Sequence, residues 1–109
     1  MAKYLFEVGY TAESWKAQLR SAPNVVERIT PLAEGAGGRI DTVYYAFGRY
    51  DAVVIADFPD DEAAAAFSLA ATAGGAVRSV ATVKLLTVEQ GQSAMRKASA
   101  AAERYKAPV

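Results

Sequence analysis

Glu7, Tyr45, Tyr50 and Asp51 are the side chains of this sequence best placed to do chemistry: two carboxylates and two phenols on otherwise apolar, strand-like segments. A carboxylate serves as an acid or base near neutrality when burial raises its pKa, and a phenol when a nearby charge lowers it. The four are therefore candidates for lining a ligand pocket, with Tyr45 and Glu7 on strands adjoining Tyr50 and Asp51; the sequence singles out no catalytic residue. The competing role is structural. Asp51 can accept backbone N–H bonds at a reversal, and Tyr50 can pack its ring while its hydroxyl finds a partner. Cysteine and histidine are both absent from the 109 residues. That excludes a thiolate nucleophile, a disulfide, a Cys/His metal site, a histidine base and a histidine haem ligand. No metal and no cofactor is expected.

Twelve basic residues balance twelve acidic ones, so no broad positive field is available to hold a phosphate backbone, and nucleic acid is not an expected partner. A hydrophobic fraction of 52% is enough for one packed core and argues against disorder. No apolar stretch reaches membrane-spanning length, and the N-terminal MAKYLFEVGY lacks the pattern of a secretory leader. A soluble cytoplasmic protein is the expectation, with no membrane partner.

The elements that must position the four residues follow from pattern. Lys3 to Tyr10 alternates as a strand, with Tyr4, Phe6, Val8 and Tyr10 on one side and Leu5, Glu7 and Gly9 on the other. Thr11 is a helix N-cap with Glu13 in the first turn, and Trp15 and Leu19 share a helix face. Ser21-Ala22-Pro23-Asn24 interrupts the helix, and a second one follows from Val25, kinked or restarted at Pro31. Gly35-Ala36-Gly37-Gly38 ends that helix; it runs from helix into strand, the wrong order for a phosphate-cradling loop. Arg39 to Phe58 reads as two central antiparallel strands reversed at Phe47–Asp51, where Gly48 can supply a positive φ. Asp60, Asp61 and Glu62 start a helix, in a capping role rather than as metal ligands, since consecutive helical side chains diverge. Its expected buried stripe is Ala63, Ala66, Phe67, Ala70 and Ala71. Gly74-Gly75 closes it, Val77 to Val88 is a fourth strand with Lys84 protecting an edge, and Gly91 sets off a helical tail.

Strand, helix, strand, strand, helix, strand is the ferredoxin-like α+β arrangement, βαββαβ, with two helices on one face of a four-stranded antiparallel sheet. The expected organisation is one domain over residues 1–90 and a C-terminal helical tail over 91–109. Alternation places Val43, Tyr45, Phe47, Val53 and Ile55 on one side of the middle strands and Ile40, Tyr44, Ala46, Val54 and Ala56 on the other. Both sides are apolar, so the face without helices should be buried against a second copy, giving a homodimer with sheets packed into a barrel. The alternative is a monomer roofed by its own tail. Four basic residues and one acid in the tail leave eight basic against eleven acidic residues before it, a body of net charge −3 to which the tail could dock, in its own chain or a partner.

Gly48-Arg49-Tyr50-Asp51, the following Ala52-Val53-Val54-Ile55-Ala56, and Pro59-Asp60-Asp61-Glu62-Ala63 at the next helix start resemble the GYD-domain family, named for its Gly-x-Tyr-Asp motif. The resemblance covers about residues 1 to 90, including the opening strand, the glycine pair before the second strand and Val77–Thr82; Pro31 and the tail after Gly91 depart from the usual pattern. It implies a dimeric α/β barrel and leaves the family's biochemical role undefined. Three functions follow as expectations: a homodimeric small-molecule binding or sensing domain, a cofactor-independent oxygenase or isomerase acting on a small aromatic or lactone substrate, and a structural or assembly protein.

Overall fold

Even-numbered residues of the first strand, β1 (Ala2–Tyr10), carry the core, because alternation sends Tyr4, Phe6, Val8 and Tyr10 to one face. The computed structural model describes residues 1–109. After β1 come α1 (Ala12–Ser21), α2 (Val25–Gly35), β2 (Arg39–Tyr45), β3 (Ala52–Phe58), α3 (Asp61–Ala73), β4 (Val77–Leu85) and α4 (Val88–Ala102). The strands form one antiparallel sheet in the order β2-β3-β1-β4, the ferredoxin-like α+β fold. The central strands are β3 and β1. The expectation that both strands of the 39–58 stretch are central fails for β2, which lies at an edge.

Phe6 and Phe58 are fully buried and meet Phe67 of α3 at centroid distances of 4.9 and 5.3 Å, with Tyr4 and Val54 beside them. Each buried phenylalanine contributes roughly 2–3 kcal/mol by removal from water. The helix caps follow the local sequence. Thr11 accepts the Ser14 N–H at 3.1 Å, Asn24 accepts those of Val26 and Glu27, and Asp60 accepts that of Ala63 at 2.8 Å. The buried residues of α3 are Ala64 and Phe67, so the stripe is rotated from the one expected, leaving Ala66 and Ala70 exposed.

Four further expectations are corrected. Pro31 lies inside a helix that does not restart there; it and Glu27, whose carbonyl loses its donor, are both exposed, so water can serve that carbonyl. Gly48 has no positive φ; the β2–β3 reversal is instead closed by the Ala46 N–H donating to the Asp51 carbonyl at 2.9 Å, a loop long enough to turn without one. Gly91 lies within α4, which begins earlier because Thr87 and Gln90 form a reciprocal capping box. The expected alternation across β2 and β3 is broken by an irregularity between Ile40 and Thr42, so Val43 and Tyr45 oppose Val54 and Ala52 on the helix side. Thr42 and Tyr44 oppose Ile55 and Val53 on the open side.

That open side is apolar at its centre, where Leu5, Val53, Ile55, Val83 and Tyr44 remain at least partly exposed, and Glu7 stands among them without an ion pair. One end carries Lys3 between Asp41 and Asp57 at 2.9 and 3.0 Å. α4 buries none of its residues and does not roof the sheet. The radius of gyration, 17.4 Å, accordingly exceeds the roughly 13 Å of a compact chain of this length.

Candidate functional site

At the end of the sheet where β2 hands over to β3, α1 and the loop enclose an open cleft of about 700 Å³. Trp15 and Leu19 reach it from α1, one helical turn apart, while Tyr45, Phe47 and Asp51 reach it from the strands and their connection. Gln18, buried between them, donates from its amide nitrogen to the Ser14 hydroxyl at 3.0 Å. Local sequence explains the placement. Thr11 starts α1 directly after β1, so its first turns lie over the end of the sheet, and the Trp15 ring meets Tyr10 edge-on at 5.3 Å. The Phe47 ring is fully exposed at the loop tip, leaving the mouth bounded by an apolar side chain.

Asp51 ties this region together. Its carboxylate accepts the Tyr10 N–H at 2.8 Å, its own N–H donates to the Val8 carbonyl at 2.8 Å, and its carbonyl accepts from Ala46. The Arg78 guanidinium approaches the same carboxylate at 3.8 Å and donates to the Arg49 carbonyl at 3.1 Å, passing over Gly9, where any Cβ would be in its way. Tyr50 is half-buried with the Arg49 guanidinium 5.8 Å from its ring centroid. Tyr10 has its pKa raised chiefly by burial, opposed by Arg28, which donates to its hydroxyl at 3.1 Å.

The four residues singled out from the sequence therefore do not share one surface. Tyr45 and Asp51 line the cleft on the helix side; Glu7 stands on the open face of the sheet, and Tyr50 lies in the loop against Arg49. The lining contributed by Trp15, Gln18, Leu19 and Phe47 was not anticipated. Its one sequence signal was the helical spacing of Trp15 and Leu19, which marks a face without saying what it meets. No group of three acidic side chains converges as a metal site, and no helix is long and apolar enough to cross a membrane.

No curated protein matches the chain. Among solved structures, MtbAldR superposes with a TM-score of 0.58 at 15% identity, over 79% of this chain and 52% of that one, so this chain spans about half its length. FFRP-DM1 superposes at 0.56 with 14% identity, over 79% of this chain and 100% of the other. The hypothetical protein PHS023 from Pyrococcus horikoshii gives 0.55 at 14% identity, over 80% and 92%. At these identities the likeness is one of fold. The GYD domain model, in contrast, matches residues 4–95, from the first core tyrosine through the whole sheet and into α4, and the chain belongs to the GYD domain family.

Proposed function

We propose that this chain is one protomer of a homodimer that binds a small, flat, largely apolar molecule in the cleft between α1 and the β2–β3 connection. The observation that carries the ligand reading is the cleft itself. Its volume of about 700 Å³ falls in the range of small-molecule sites, and its walls are aromatic and aliphatic with a few polar groups, the Gln18 amide, the Tyr45 hydroxyl and the Asp51 carboxylate. Asp51 already holds backbone and guanidinium partners, which suits it to fixing the loop rather than to moving a proton. The dimer reading rests on the open sheet face, apolar at its centre and charged at an end, which a second copy would cover. Glu7 would then lie inside the shared chamber.

Thermal-shift screening of small aromatic acids and quinones, followed by an assay of every stabilising compound for turnover, tests the ligand reading. Binding to the native state raises the apparent melting temperature by mass action. Stabilisation without product, lost in Tyr45→Ala, supports a binding or sensing domain. Product formation would replace that reading with an enzyme, and stabilisation that survives Tyr45→Ala would place the ligand elsewhere.

A further inference from the structure

On the helix side of the sheet, α2 and α3 do not close over β1 and β4. Between them lies a slot of about 240 Å³ with Val8 and Val80 as its floor, Ile29 and Leu32 as one wall and Phe67 and Ala71 as the other. Val8 and Val80 face the core side yet stay partly exposed, because the α3 wall offers alanines where larger side chains would fill the gap. An apolar void loses dispersion contacts along its lining, and an engineered cavity of about 150 Å³ is enough to bind benzene. This slot therefore has room for one ring and a short substituent.

Arg28 stands at the slot's mouth on α2. Its guanidinium donates to the Tyr10 hydroxyl at 3.1 Å and has no carboxylate within ion-pairing distance, whereas Lys3, Arg39, Arg78 and Lys84 on the strands each have one. A guanidinium has five N–H donors in a planar fork suited to a carboxylate, and only one is engaged within the protein. We infer that the slot between α2 and α3 is a second binding site, distinct from the α1 cleft, for a small organic carboxylate whose apolar body enters the slot and whose carboxylate pairs with Arg28. The Tyr10–Trp15 pair separates the two sites, Tyr10 lining the slot and Trp15 the cleft. The positive mouth also decides against the chain's other candidate occupant. The α4 segment and residues after it carry Arg96, Lys97, Arg104 and Lys106, and like charges oppose seating that helix beside Arg28.

Isothermal titration of the 109-residue chain with phenylacetate and with phenethyl alcohol, which shares the ring but not the charge, tests this. Phenylacetate is expected to bind about 10-fold or more tightly than the alcohol, as a charged hydrogen-bonded pair warrants. Arg28→Gln, at an exposed position, removes the charge and the donor to the Tyr10 hydroxyl without changing the slot's apolar walls, and is expected to bring the acid down to the alcohol's affinity; Ala71→Leu, which fills the slot, is expected to abolish both. Equal affinity of acid and alcohol, no effect of Arg28→Gln, or no binding of either compound overturns the proposal. So does binding lost in Tyr45→Ala but kept in Ala71→Leu, which would assign phenylacetate to the α1 cleft. Affinity that falls as protein concentration rises would show a second copy occupying the slot, and would equally overturn it.

Discussion

Alanine at Gly38 and at Gly48 should have opposite effects on stability, although both glycines flank β2. A Cβ built at Gly38 lies 2.3 and 2.4 Å from two ring carbons of Phe58 and 2.5 Å from the Asp57 carbonyl oxygen. Carbon atoms rest at about 3.5–4.0 Å, so the neighbours must retreat by roughly 1 Å or more. Neither can do so freely. The Phe58 ring is fully buried against Phe6, Phe67 and Tyr4, and the Asp57 carbonyl belongs to the backbone of a central strand. Overpacking of this kind costs about 1–3 kcal/mol, partly offset by the ~0.4–1 kcal/mol that alanine contributes by restricting the unfolded chain. A net loss of about 1–2 kcal/mol corresponds to a fall in melting temperature of roughly 4–16 °C for a domain of this size. At Gly48 a Cβ meets nothing and φ is not positive, so only the unfolded-state term remains and Gly48→Ala should be neutral or stabilising by up to ~1 kcal/mol. Gly9→Ala is the internal control, because its only close neighbour is the flexible end of Arg78. Urea denaturation of the three variants at one protein concentration measures the ranking. A Gly48→Ala variant as unstable as Gly38→Ala would refute the reasoning and mean that the motif glycine serves a backbone need absent from this structure.

Tyr4 donates to Asp61 at 2.6 Å, which with burial pushes its pKa up to about 12, while that hydrogen bond and Lys84 hold the Asp61 carboxyl below its usual range. The tyrosine's contribution is complete below about pH 10, where the unfolded phenol would also stay protonated, and is lost as pH rises through about 12. The aspartate's is complete above about pH 4 and fades as pH falls below that. Ultraviolet phenolate titration should therefore show one of the six tyrosines ionising last, a step missing in Tyr4→Phe. Pro31→Ala restores a donor inside α2 and should raise stability by about 1–3 kcal/mol, read as the shift in urea midpoint; an unchanged or lower midpoint would show that the helix already accommodates the proline without cost. Ala22 is the one non-glycine residue with positive φ, 45°, so Ala22→Gly should stabilise by about 0.5 kcal/mol once glycine's unfolded-state entropy is subtracted, and a loss by thermal melting would contradict this. Ile55→Lys puts a charge on the open sheet face without touching the core and should convert a dimer to a monomer in sedimentation equilibrium; a wild-type chain that is already monomeric at high concentration would end the dimer reading.

Much of this fold is written in short-range sequence. Residues two apart in β1 separate core from open face, and Thr11 and Asp60 announce two helix starts because a cap needs only a side-chain oxygen and an N–H three residues on. The ferredoxin-like order and the family motif were legible for the same reason. What the sequence could not decide is register across distance. An irregularity after Ile40 and the six-residue closure from Ala46 to Asp51 flip Val43 and Tyr45 to the helix side, and one such shift separates Tyr45 from Glu7 by the whole thickness of the sheet. Whether two helices meet is likewise a tertiary outcome: Ala71 belonged to the expected buried stripe of α3, and only the position of α2 shows that between Leu32 and Ala71 they leave a slot. Pairing and helix spacing are summed over contacts far apart in the chain, whereas periodicity and capping are settled within a turn or two, and this is why the elements could be read and the sites they enclose could not.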